Sequence, residues 1–212
     1  QHNPAVMGCS GDLVIRTPNL DKLAARGVVL SNNYCASPIC VPSRASMLTG
    51  QHPYKTRVWT NTQILSSGIP TFAHAFGAAG YRPVQIGRMH FNGPDQLHGF
   101  TERHIGDHSP NHLGSDEVDH GGLKGTQGPH RVSLKLSGHG LNSYQVHDEM
   151  VATRTIEFLD EHVNSGATDD PFCLSVGFML PHQPFVAARE DYDKYRGKVP
   201  PPKNPRAFED ET

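Results

Sequence analysis

The chain has 212 residues, with 19 Lys and Arg against 21 Asp and Glu and a net charge of −2 with His neutral. That length permits one domain with a sizeable core, and the near-neutral balance excludes the basic bias of a nucleic-acid binder. No apolar run approaches membrane-spanning length, and four scattered Cys (Cys9, Cys35, Cys40, Cys173) do not make a disulfide framework, although Cys35 and Cys40 are near enough in sequence to pair.

Residues 1–16 read as loop, broken by Gly8 and Gly11. Thr17 is a good N-cap, Pro18 suits the first helical position, and Gly27 closes that helix, with Leu20, Leu23 and Ala24 on one face. Val28-Val29-Leu30 predicts a short buried strand. The next helix runs from the Cys40 region to Gly50, with Pro42 suited to its first position and Gly50 to the residue past its end. Residues 51–70 are irregular, and Thr71 to Ala79 predicts a helix with Phe72, Ala75, Phe76 and Ala79 at i, i+3, i+4, i+7.

Val84 to Ile86 predicts a strand, with Gly87 to His90 at its exit. Residues 101–142 are rich in Gly, His and Ser and lack periodicity, so a long irregular insertion is expected there. Asn142 with Gln145 resembles a capping box, and Ala152, Ile156, Leu159 and Val163 mark the expected buried stripe of a long helix. Phe172 to Phe178 is nearly continuous in apolar character, as in a central parallel strand, and delivers Pro181-His182 to the same sheet edge as His90. A short helix is expected near 187–196, then an irregular Pro-rich tail. Helices alternating with strands, with polar residues at strand exits, give an α/β class in which ligands sit at the carboxyl ends of strands.

Chemistry concentrates at few positions. Cys40 is expected at a helix N-terminus, where free N–H groups and the dipole favour an anion. Arg44 follows one turn later and aims a guanidinium at the same place. A sulfur nucleophile, an Arg and a helix start together describe an oxyanion site; the plain alternative is a structural thiol before a capped helix. Arg88 and His90 stand two apart after a strand, so both can point to one side. His182 lies between two prolines that restrict its backbone. Asp148 and Glu149 read as a solvated helix face. Asp95 and His98 have no physical warrant for a role.

Cys40-Val41-Pro42-Ser43-Arg44 with Leu48-Thr49-Gly50 resembles the signature of the type I sulfatases. The likeness extends to Thr17-Pro18-Asn19-Leu20-Asp21-Lys22-Leu23-Ala24, to Gly87-Arg88-Met89-His90-Phe91 and to Pro181-His182-Gln183-Pro184-Phe185. The wording from Met89 to Phe100 is similar to the choline-sulfatase-like branch. The resemblance covers most of residues 8–100 and 143–203. It implies a mostly parallel three-layer α/β/α sandwich of the sulfatase/alkaline phosphatase type, incomplete here. It implies a sulfuric ester hydrolase whose Cys40 is oxidised to formylglycine by a maturase, with a Ca2+ (or Mg2+) ion bound to that group.

By the same resemblance Arg44 holds the formylglycine hydroxyls, and Arg88, where the family has Lys, contacts sulfate. His90 holds the diol and helps expel sulfate, and His182 contacts the sulfate and the leaving oxygen. The remaining metal ligands are expected outside the chain, which looks like an internal part of a sulfatase cut at both ends. The substrate is a small sulfate ester or a sulfated sugar, with Trp59 and Tyr54 as candidates for an aromatic cage around a quaternary ammonium. No nucleic acid or membrane partner is implied; an oligomer is compatible with the reading. Two alternatives stand beside it: a phosphonate monoester or phosphodiester hydrolase of the same fold, and a non-catalytic fragment.

Overall fold

A computed structural model describes residues 3–109, 119, 123, 131–166 and 169–201. In chain order the elements are α1 (Pro18–Arg26), α2 (Cys40–Thr49), α3 (Pro53–Thr56), α4 (Phe72–Ala78), β1 (Arg82–Gly87), β2 (Glu102–His104), α5 (Arg131–Leu136), β3 (Gly138–His139), α6 (Ser143–Asn164), β4 (Phe172–Gly177), β5 (Val186–Ala187) and α7 (Arg189–Tyr195). A three-stranded sheet has the order β2–β1–β4, and both pairings are parallel. β3 and β5 form a separate parallel pair.

β1 is buried from Pro83 to Gly87, as a strand covered on both faces must be. Val84 and Ile86 pack against Val151 and Phe158 of α6, with Phe172, Leu174 and Val176 of β4 around them. Each such side chain removed from water contributes about 1.5–3 kcal/mol. The opposite face meets α4, whose Gly77 leaves room beside the Pro83 ring. Leu48 of α2 and Ala73 of α4 then close over Met89, Phe91 and Phe100. Helices on both sides of a parallel sheet give the expected α/β/α layering. Two capping boxes start helices here: Thr71 with His74 on α4, and Asn142 with Gln145 on α6.

Three expectations are corrected. Val28, Val29 and Leu30 form no strand and are 84%, 55% and 72% exposed. An apolar triplet becomes a strand only where a neighbour pairs with it, and no described residue does. On α6, Ile156 and Val163 are exposed, while Tyr144, His147, Val151 and Phe158 face the sheet. A buried, hydrogen-bonded His in the true stripe disguised it. Within the stretch expected to be irregular, residues 102–104 form the edge strand β2, and α5 and β3 follow; residues 110–118, 120–122 and 124–130 lie outside the described residues, as does the tail from 202. Three residues are too few to show a period.

Candidate active site

Two strand exits and one helix start converge. β1 and β4 run in register to Gly87 opposite Gly177, so both chains leave the sheet at the same edge. Both glycines are demanded by this approach. A Cβ at Gly177 would collide with the Arg88 carbonyl oxygen, and one at Gly87, already at φ +83°, would strike the Gly177 carbonyl oxygen and Val151. The Arg88 N–H donates to the Gly177 carbonyl at 2.8 Å, tying the two exits together.

Each exit is held by an aspartate. Asp107, beyond β2, accepts from the N–H of Met89 at 3.0 Å and of His90 at 2.7 Å, while its other oxygen receives Arg103 at 2.5 Å. His90 adopts φ +64°, a left-handed conformation that a non-glycine residue keeps only when its surroundings impose it; Asp107 imposes it. Asp148 of α6 accepts from the N–H of Met179 at 2.7 Å and of Leu180 at 2.9 Å, fixing the segment that ends at His182. Asp148 is thus a brace inside the fold rather than part of a solvated face. Neither aspartate was found in the sequence. The available signal for Asp148 was its place among Tyr144, His147 and Val151, the i, i+3, i+4, i+7 positions of the buried stripe.

Cys40 is the first residue of α2, which places Pro42 third rather than first. This changes the anion argument. Pro42 has no N–H, and the Val41 N–H is taken by Asn61 Oδ1 at 2.9 Å, so the helix start offers fewer free donors than expected. The positive charge comes mainly from side chains. Arg44 donates to the Arg88 carbonyl at 3.3 Å and lies beside Met89 Sδ at 4.0 Å. Arg88 is 8% exposed, and its Nη2 donates to His90 Nδ1 at 3.1 Å. Neither guanidinium forms an ion pair among the described residues. Burial and the neighbouring Arg88 pull Arg44 below the usual arginine range.

The imidazoles of His182 and His90 face the Cys40 sulfur. His182 first and His90 next, with the charge of Arg88, outweigh burial and lower the Cys40 thiol from 9.0 to about 5. At neutral pH this site stabilises an anion at position 40. His182 Nδ1 donates to the Gln183 carbonyl at 2.8 Å, which leaves Nε2 for the site. Its ring packs edge-on against Tyr144 of α6 at 5.5 Å. The bond from Arg88 makes His90 Nδ1 an acceptor, so the neutral ring carries its proton on Nε2. A cavity of about 450 Å3 opens here, lined among others by Cys35, Ser43, Arg44, Arg88 and His182.

All five residues expected at the site (Cys40, Arg44, Arg88, His90 and His182) are therefore brought together. The four cysteines are free thiols, so Cys35 does not block Cys40. Trp59 and Tyr54 are exposed and do not line this cavity. Asp95 accepts from the N–H groups of Leu97 and His98, and the buried His98 ring lies 4.7 Å from Phe91, a packing role. The site fits an anion and does not by itself fit Ca2+ or Mg2+, which require several oxygen ligands. Asp107 and Asp148 are engaged with backbone N–H groups. Among the described residues, no group of three or more His, Cys, Asp and Glu is placed to hold a metal ion.

The arrangement defines an α/β protein that gathers two guanidiniums, two imidazoles and a thiol where parallel strands leave the sheet. The sulfatase family model matches residues 3–207, and the chain belongs to the sulfatase family. It is 38% identical over 188 residues to a choline-sulfatase of Rhizobium meliloti, covering 85% of this chain and 36% of that protein. It is 26% identical over 190 residues to human iduronate 2-sulfatase, covering 87% of this chain and 34% of that one. The chain thus spans about a third of the length of these relatives. Its fold is like that of the phosphonate monoester hydrolase of Agrobacterium radiobacter, with a TM-score of 0.65 at 19% identity, covering 95% of this chain and 43% of that one.

Proposed function

We propose that this chain carries the nucleophile and sulfate-binding half of a sulfuric ester hydrolase. The observation behind it is the pair Arg44 and Arg88: two guanidiniums, one of them buried, gathered with two imidazoles at position 40 and forming no ion pair among the described residues; Asp107 acts on Arg44 only at longer range and is committed to the N–H groups of Met89 and His90 and to Arg103. Charges in this condition are costly unless an anion completes them. Oxidised to formylglycine by a maturase and hydrated, position 40 supplies a hydroxyl nucleophile in the family manner.

The chain's own residues do the rest. Arg44 and Arg88 hold sulfate oxygens and offset charge that shifts during in-line displacement at sulfur. His90, with its proton on Nε2, holds the group at position 40 as a donor. Abstraction of a proton by His90 needs the other tautomer, with Arg88 swung away from Nδ1. His182, whose Nδ1–H is held by the Gln183 carbonyl, delivers a proton from Nε2 to the leaving alcohol as the imidazolium and is left as the neutral ring protonated on Nδ1. A divalent cation belongs to this proposal only with carboxylates beyond the described residues, and no step above passes through it.

The test compares 4-nitrophenyl sulfate with a phenyl phosphonate monoester, assayed on the longer protein that carries this chain. Preferred release of sulfate supports the proposal. Turnover of the phosphonate alone assigns the site to the phosphonate monoester hydrolases, and turnover of neither assigns the chain to the non-catalytic alternative.

A further inference from the structure

A second cavity, of about 610 Å3, adjoins the first, and Leu180 and His182 line both. His182 is therefore the wall between a cationic chamber and a second chamber of different chemistry. Beyond that shared wall it is lined by Leu180, Pro181, Phe185, Val186, Ala187 and Tyr192, and no described lining side chain other than His182 can carry a full positive charge. It is a built feature. The β3–β5 pair supports it, with the Gly138 N–H donating to the Phe185 carbonyl at 2.9 Å. The Ser137 hydroxyl accepts from the Phe185 N–H at 3.1 Å and donates to the Ser133 carbonyl at 2.8 Å, so its polar capacity is used. Phe185 is 61% exposed at this wall, an aromatic surface open to contact.

We infer that this chamber receives the alcohol part of the substrate and selects an uncharged, apolar group, aryl or alkyl. The inference rests on the sulfate-ester reading above. A sulfate held by Arg44 and Arg88 places its bridging oxygen at His182, and the substituent on that oxygen then continues past His182 into the second chamber. A sugar bearing further sulfates or a carboxylate finds no described cation lining it beyond His182, which the ester oxygen already engages. A quaternary ammonium is disfavoured for a separate reason: the Arg196 guanidinium already stands over the Tyr192 ring, 6.0 Å from its centroid.

The experiment measures kcat/KM for esters that share the sulfate and differ in the alcohol: 4-nitrophenyl sulfate, hexyl sulfate, choline sulfate and glucose 6-sulfate. The longer protein and its Phe185→Ala variant are compared. Aryl and hexyl esters should lead, and Phe185→Ala should lower their kcat/KM about tenfold, the equivalent of one lost apolar contact, while glucose 6-sulfate stays within about twofold. Preference for choline sulfate or for the sugar ester overturns the inference, as does an equal loss on all four. If no sulfate ester turns over, the failure belongs to the functional reading, and binding decides the chamber separately. Saturable binding of 4-nitrophenol that weakens in Phe185→Ala sustains it; binding unchanged by the substitution, or none, overturns it.

Discussion

Replacing Asp148 should disable the site without touching substrate. Its carboxylate receives two backbone N–H groups, from Met179 and Leu180, at 2.7 and 2.9 Å. A hydrogen bond to a charged group contributes about 1.5–3 kcal/mol, so the pair accounts for about 3–6 kcal/mol at most. Met179 is 7% exposed and the Asp148 side chain 12%, so water recovers only part of this after truncation. Asp148→Ala should lower unfolding free energy by about 3 kcal/mol, read from urea denaturation. Asp148→Asn keeps one acceptor but turns an NH2 toward the other N–H, and should cost about 1.5–3 kcal/mol. Because this segment aims His182, the proposed acid, both variants should lose more kcat on hexyl sulfate than on 4-nitrophenyl sulfate, whose leaving group needs less protonation. A stability loss below about 0.5 kcal/mol, or equal losses of kcat on the two esters, would refute the bracing argument.

Three further outcomes follow from the same geometry. Unmodified Cys40 should be alkylated with a midpoint near pH 5, set first by His182 and then by His90, and mass spectrometry should find it labelled under acid conditions where Cys173, whose thiol burial pushes up, is not; because the folded thiol is depressed below 9.0, its contribution to stability is full above that value and is lost as pH falls toward about 5. Phe158→Ala should cost about 3–5 kcal/mol in urea unfolding while Ile156→Ala, on the exposed face of α6, should cost under about 0.5 kcal/mol. Gly177→Ala should destabilise by about 1–3 kcal/mol or more, because its Cβ meets the Arg88 backbone rather than a side chain that can move; an unfolding curve matching the parent's would contradict the close approach of the two strand exits.

What was legible in the sequence was chemistry carried by a short spacing or by punctuation. The turn from Cys40 to Arg44, the glycine at 50, the capping box at Asn142, and the apolar run before His182 each state their structure locally. What was not legible depends on partners far along the chain. Asp148 and Asp107 look like ordinary surface acids until a strand exit arrives over them from 31 residues and 17 or 18 residues away. The buried face of α6 contains His147, whose Nε2 meets the Gly106 carbonyl at 3.2 Å, so a purely apolar stripe selects the wrong side of the helix. Val28 to Leu30 has strand composition but no described neighbour to pair with, and pairing, not composition, makes a strand. The position of Pro42 shows the limit even of local rules: a helix start shifted by two residues converts an expected set of free N–H donors into a site whose charge comes from Arg44 and Arg88.

The central claim is that position 40 is the nucleophile of a sulfate-releasing site. It is tested most directly by sulfate release from 4-nitrophenyl sulfate, comparing the longer protein made with a formylglycine-generating maturase against its Cys40→Ala variant. The peptide containing residue 40 is weighed in the same preparation. The account predicts formylglycine at position 40 in the active protein and loss of sulfate release in the variant. Sulfate release that survives Cys40→Ala, or full activity from a protein whose position 40 is entirely unmodified cysteine, would contradict it.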